Sequence, residues 1–287
     1  EIYTLSLHDA LPIYKDLMKF LTLILAFMSL QLFSAEGGPC GHFLSEDGLE
    51  EGKCEEFKAD HTDKESLQKG AQIFMNYCYG CHSLKYGRYN RVARDLGIPE
   101  DLFQENLMFG DQKIGDLMSI GMDQSEAKDW FGVAPPDLTL ETALRGTDWV
   151  YTYLISFYED ETRPLGVNNK VYQNVAMPNV LRDIQGLQVS TCKQVPKLAA
   201  NGGLSQDPLS GEVITEEQCG FLQIEQEGEM TAEEFKESMK NLTNFLSYMS
   251  DPIKEERKYI GKFVILYLLI FTVLSYLLYR EFKKDVH

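Results

Sequence analysis

The run Cys78-Tyr79-Gly80-Cys81-His82 constrains this chain more than any other feature. Two cysteines with two residues between them, followed at once by histidine, form the pattern that attaches a c-type haem. The spacing has a chemical reason. Each thiol adds to one haem vinyl group, and the adjacent imidazole is then held beneath the iron as its proximal ligand. With six Cys and five His in 287 residues, composition alone gives this triplet about 0.002 times per chain. The competing readings are a redox dithiol and half a zinc site. A second CxxC is absent, and the motif does not follow a strand of a βαβ unit. The expectation is one covalent haem c, with His82 as an iron ligand.

A net charge of -17 argues against a nucleic-acid partner and suits a basic protein partner, or simply keeps the domain soluble. Four cysteines remain beyond the motif: Cys40, Cys54, Cys192 and Cys219. Haem attachment through thioethers takes place outside the cytoplasm, so two disulfides are expected. Proximity in sequence pairs them as Cys40–Cys54 and Cys192–Cys219.

Met18-Lys19 opens a nearly apolar run, Phe20 to Phe33, that reaches Ser34-Ala35. A basic start, apolar centre and small-residue end describe an export signal over 18–35, removed near Ala35. The run is shorter than the ~20 residues needed to span a bilayer. Residues 1–17 fit neither purpose and read as a non-native gene-model extension upstream of Met18. The segment Gly37 to Asp63 lacks apolar periodicity and reads as an exposed acidic loop, with His42 and His61 as surface histidines.

A helix is expected from Asp63 or Ser66, with Leu67, Gly70, Ala71, Phe74 and Cys78 on one face. Gly70 costs about 1 kcal/mol of helix propensity against Ala, which suggests a second helix crossing closely there. After His82, Ser83 to Arg91 mixes aromatics, Tyr89 among them, with guanidinium groups suited to haem propionates. Ala134-Pro135-Pro136-Asp137-Leu138 is a rigid extended loop, because consecutive prolines fix φ and bar helix. A helical segment then leads to Arg145, a conspicuous cation at the start of an otherwise apolar run to Leu154. Asn174-Val175-Ala176-Met177-Pro178 offers a thioether, a soft and uncharged sixth ligand that raises the iron's potential relative to a second histidine. Met118 and Met122 compete with Met177 on local residues alone. Histidines are too few to favour bis-histidine ligation.

Thr231-Ala232-Glu233-Glu234 forms a capping box. Phe235, Met239, Leu242, Phe245, Leu246 and Met249 then make an apolar stripe, expected to cross the earlier helix at Gly70 and Phe74. From Ile260 to Tyr279, twenty residues at ~1.5 Å each give about 30 Å, one hydrocarbon thickness. The anchor is thus a single pass over 252–287, with Tyr259, Tyr276 and Tyr279 at the interfaces. Flanking charge is nearly balanced, so the exported haem sets the orientation and leaves the tail from Arg280 in the cytoplasm.

With these residues in hand, the chain resembles the cytochrome c1 family, the haem subunit of bacterial quinol:cytochrome c oxidoreductases (cytochrome bc1 complexes). The likeness runs from about Ser66 to the C-terminus. It is carried by Cys78 to Tyr86, Ala134 to Leu138, Arg145 to Leu154, Gly166-Val167-Asn168-Asn169, Asn174 to Pro178, and the closing helix with its anchor. The resemblance implies a mainly α, class I cytochrome c-like haem domain over 36–251, with long loops and one C-terminal transmembrane helix. It favours Met177 as axial ligand over Met118 and Met122. It sets Arg145 near a propionate, Trp149 where an aromatic is usual, and Pro136 in a loop lining the haem.

The implied partners are cytochrome b, a Rieske iron–sulfur subunit as electron donor, a cytochrome c as acceptor, and inner-membrane lipid. The haem domain would lie on the periplasmic side. Residues 188–229 depart from the family pattern as an insertion. Two rivals remain: a free membrane-anchored cytochrome c that shuttles electrons to a terminal oxidase, and a peroxidase or gas sensor with an open sixth position. No nucleophile–base arrangement calls for explanation, so catalysis would belong to the complex.

Overall fold

The computed structural model describes residues 40–45, 51–197 and 203–285; the expected export signal and residues 1–17 lie outside them. Two crossing helices centre the core. The first, α1 (Lys64–Ile73), starts where the Asp63 carboxylate accepts from the Ser66 N–H, satisfying a backbone donor that the helix leaves open. It runs directly into a π-helical turn, Phe74–Cys78. The main partner of α1 comes near the other end of the chain. A helix at Ala232–Ser250 begins with the expected capping box, Thr231 and Glu234 bonding each other's backbone N–H. At their crossing, a Cβ on Gly70 would collide with the Asn241 carbonyl and the Phe245 side chain. Glycine is used there for close approach, and the Phe74 and Phe245 rings meet beside it with centroids 5.8 Å apart.

Between these two helices the chain lays down β1 (Leu84–Arg88), α2 (Tyr89–Leu96), α3 (Glu100–Leu107), β2 (Leu117–Met118) and α4 (Gln124–Phe131). Next come α5 (Glu141–Arg145), α6 (Thr147–Ile155), β3 (Phe157–Glu159), β4 (Val167–Asn169) and α7 (Arg182–Gln185). A longer ribbon follows, β5 (Gly186–Pro196) and β6 (Thr215–Glu227), before α8 (Ala232–Ser250) and α9 (Lys254–Asp285). Among the described residues the named strands pair as antiparallel couples: β1 with β2, β3 with β4, β5 with β6. The fold is mainly helical, with long connections, as the resemblance implied.

Three expectations change. The apolar stripe of α8 is part of a wider buried surface, because α5 and α6 pack on its second side. Asn241, Thr243, Asn244 and Ser247 are buried there with the apolar residues. Asn244 shows how such polar groups are tolerated. Its side chain donates to the Asp60 carbonyl and the Ser66 hydroxyl, and accepts from the Asp60 N–H.

The segment before α1 is not simply an exposed loop. Cys40 and Phe43 pack against Val171, Cys40 is bonded to Cys54, and His61 is buried with Nε2 3.0 Å from the Ser247 hydroxyl. Residues 188–229, expected only as an insertion, form most of the β5–β6 ribbon. Cys192 and Cys219 stand directly opposite each other in its register and are disulfide-bonded.

The last helix, α9, is long and apolar enough to cross a membrane. At ~1.5 Å per residue its 32 residues reach about 48 Å, which covers a hydrocarbon core with interfacial turns at each end.

Candidate functional site

A cleft of about 360 Å³ opens beside the α1–α8 crossing, walled mostly by apolar side chains. One wall is the CxxCH turn. The π-helical turn closes with Tyr79 N–H donating to Phe74 O, and the Cys78 carbonyl accepts from both Cys81 and His82 N–H. This tight fold sets Cys78, Cys81 and His82 along the cleft together. Among the described residues, Cys78 and Cys81 are the two cysteines outside disulfides. Burial pushes the Cys78 thiol up to about 12, the opposite of the lowered thiol that a redox dithiol needs.

His82 is buried, and its Nδ1 lies 2.7 Å from the Pro136 carbonyl. A carbonyl only accepts, so Nδ1 carries the proton and Nε2 keeps its lone pair. Burial also holds this imidazole below its ordinary pKa, in the neutral form that binds metals. The Pro135-Pro136 loop is itself fastened to the chain just after the motif. Asp137 accepts from the Lys85 N–H, and Leu138 N–H donates to Ser83 O. The histidine and the carbonyl that orients it therefore move as one unit.

Other lining residues come from α5, α6 and the loop after β4. Arg145, Trp149 and Tyr153 follow one another at four-residue spacing. The Arg145 guanidinium sits 4.4 Å from the Trp149 ring centroid, and its Nε donates to Glu141 at 2.8 Å. Trp149 and Tyr153 stack nearly parallel, 5.2 Å apart. Polar residues of the same run work on the other side of α6: Asp148 and Thr152 accept from the Phe57 and Glu55 N–H groups, and Thr147 donates to the Phe57 carbonyl.

Met177 lies in the cleft, with its sulfur 3.4 Å from the Tyr153 hydroxyl. Its loop is shaped by the two asparagines of β4. Asn168 accepts from Asn169 and Asn174 N–H; Asn169 accepts from Val171 and Tyr172 N–H and donates to the Tyr153 carbonyl. Asn174 turns the chain toward Met177 at φ 59°, a left-handed value that asparagine tolerates better than most residues.

Seven of the eight residues expected at the site line this cleft: Cys78, Cys81, His82, Pro136, Arg145, Trp149 and Met177. Tyr89 does not. It opens α2 facing inward, fully buried, with its hydroxyl bonded to Tyr79 and its ring against Phe103. Met118 is fully buried away from the cleft, and Met122 does not line it. Tyr153, Asn168 and Asn169 were not anticipated as support for Met177. For Tyr153 the usable signal was its helical spacing from Arg145 and Trp149.

This donor set fits a covalent haem. Two thiols outside disulfides share the cleft with a neutral imidazole of committed tautomer and a thioether, and apolar side chains form most of the walls.

Comparison with known proteins agrees. The family described as the Cytochrome C1 family matches residues 55–286. A cytochrome c1 of Allochromatium vinosum is 47% identical over 228 residues, 79% of this chain and 87% of that protein. A protein of Nitrosomonas europaea named ammonia monooxygenase gamma subunit is 36% identical over 245 residues, 85% of this chain and 94% of that one. A cytochrome c1 of Rhodospirillum rubrum is 24% identical over 247 residues, covering 78% and 83% of the two chains.

Proposed function

Because the chain belongs to the cytochrome c1 family, whose members carry a covalent haem c, we propose that it is the electron-relay subunit of a membrane-bound quinol:cytochrome c oxidoreductase. In this reading Cys78 and Cys81 would hold the haem through thioether links, His82 Nε2 and Met177 Sδ would be the protein's iron ligands, and the Arg145 guanidinium would be available to a propionate. The bound haem supplies a one-electron couple.

The protein's residues do the rest. The Pro136 carbonyl fixes the imidazole and strengthens it as a donor. Asn168 and Asn169 shape the loop that presents the thioether. The apolar walls would keep water from the haem, which favours a high potential. With both His82 and Met177 as ligands the protein would supply outer-sphere one-electron transfer, with no substrate bound at the metal.

The electron donor in this reading is a Rieske iron–sulfur subunit and the acceptor a cytochrome c, with cytochrome b as membrane partner. The net charge of -17 would draw a basic acceptor over long range, with an on-rate that falls as salt rises. The signal at 18–35 would export the domain at 36–251 to the periplasm, with α9 as its anchor in the inner membrane.

The observation that carries the proposal is the meeting of Cys78, Cys81, His82 and Met177 in one cleft, with His82 Nδ1 committed to Pro136. The test is gentle solubilisation of tagged protein from its native membrane, followed by quinol-driven reduction. Co-purification with a b-type cytochrome and rapid reduction of this haem by quinol are the expected results. A haem-loaded protein that purifies without cytochrome b would instead favour the free shuttle.

A further inference from the structure

We propose that Tyr153 is a positioning residue for the Met177 thioether, donating its phenolic hydrogen to the sulfur and so fixing which lone pair faces the cleft and how strongly it donates. The proposal rests on the reading of Met177 as axial ligand.

The Tyr153 oxygen lies 3.4 Å from Met177 Sδ, within the range of hydrogen bonds to the larger sulfur atom. A thioether has two lone pairs. With one engaged by the phenol, the other is left for a metal. Drawing density from sulfur weakens its donation, which favours the electron-richer, reduced iron.

Tyr153 can act this way because it has little freedom. Its ring is stacked on Trp149 and meets Phe157 edge-on at 5.1 Å. Its carbonyl accepts from Asn169, the residue that also shapes the Met177 loop. One asparagine therefore ties the donor's backbone to the acceptor's loop. A phenol is protonated at physiological pH, so it remains a donor to the sulfur. A phenylalanine would fill the same stack. A hydroxyl in an apolar wall without a partner would carry an unmet desolvation penalty, which the sulfur contact offsets.

The test compares the parent, Tyr153→Phe and Met177→Leu as haem-loaded, full-length proteins in detergent. Three properties are read: the long-wavelength charge-transfer band of a thioether–ferric bond, the midpoint potential, and the affinity of added imidazole for the iron. Tyr153→Phe should keep the band and the parent's melting temperature. It should move the ferrous–ferric balance roughly three- to tenfold toward ferric, the worth of one net hydrogen bond. Imidazole should displace the sulfur only at several-fold higher concentration, because the thioether freed from the phenol donates more strongly to ferric iron. Met177→Leu should lose the band.

If Tyr153→Phe matches the parent in potential and imidazole affinity while Met177→Leu loses the band, Tyr153 is packing alone and the proposal fails. If Met177→Leu keeps the band, the ligand reading itself is wrong and this proposal falls with it. Should Tyr153→Phe not load haem, a fluorinated, more acidic tyrosine at the same position is the second probe. It should move the balance toward ferrous, and no movement would overturn the proposal.

Discussion

The two walls of the cleft are built by different physics. The His82 wall is a continuous piece of backbone: α1, the π-helical turn and the CxxCH turn follow without a break, and the Pro136 loop is fastened directly to residues just past the motif. The Met177 wall is a loop given its shape by side chains, chiefly Asn168, Asn169 and Tyr153. Helical backbone packed in a core opens only with global unfolding, whereas a loop held by side-chain bonds opens locally at lower cost. The imidazole should therefore be the permanent ligand and the thioether the exchangeable and tunable one.

The largest break in that comparison is at the covalent attachment. Cys78→Ala or Cys81→Ala should leave little haem-stained protein on a denaturing gel and little accumulated chain, because the haem is part of the core. Met177→Leu should instead accumulate with its haem attached and lose several hundred millivolts of potential, on the scale that axial ligands command. Equal accumulation of the cysteine variants and Met177→Leu would erase the distinction between the walls.

Smaller perturbations sharpen it. Gly70→Ala drives a methyl group into the Asn241 carbonyl and Phe245, and should cost about 1–3 kcal/mol of global stability in denaturant melts. Asn169→Ala removes the clamp on the methionine loop. Its cost, also about 1–3 kcal/mol, should show as faster hydrogen exchange and easier imidazole binding near Met177, with the α1–α8 crossing unaffected. If the two variants gave the same exchange pattern, the walls would not be separable.

The smallest effect lies outside both walls, at His61. Burial, and next the nearby Lys254 charge, lower its pKa, and its Nδ1 is buried without a hydrogen-bond partner. Glu255, Asp251 and Lys258 also act on it, and the Tyr248 ring meets it edge-on. The unfolded chain then binds the proton more readily than the folded one. The contribution of this group is complete above the unfolded value of about 6.5 and is lost as pH falls through the lower folded value. The melting temperature should drop as pH falls below about 6.5, and His61→Gln should flatten that slope. An unchanged slope would remove His61 as its source.

Most of the His82 wall was legible in the sequence because its signals are local. CxxCH is a covalent pattern, consecutive prolines bar helix, and Gly70 with the α8 stripe announced a close crossing. The Met177 wall was legible only as a loop with a candidate ligand. Its supports act across sequence gaps: Asn169 reaches Tyr153, and Tyr153 reaches Met177. The same limit explains the misplacement of Tyr89, whose aromatic and arginine neighbours suggested a cofactor face while its ring belongs to the core. It explains His61 as well. A polar residue is by default a surface residue, and only its distant partner, Ser247, shows otherwise. The cross-strand Cys192–Cys219 pair was inferred correctly from proximity and redox compartment, but the ribbon that carries it was not.

The most direct test of the two-walled site is near-infrared magnetic circular dichroism of the ferric protein, which reports the axial ligand pair independently of potential. The parent should give a histidine–methionine signature, and Met177→Leu should lose it while a nitrogen ligand persists. A bis-nitrogen signature in the parent, or a histidine–methionine signature that survives Met177→Leu, would contradict the assignment of His82 and Met177 to the two sides of one iron.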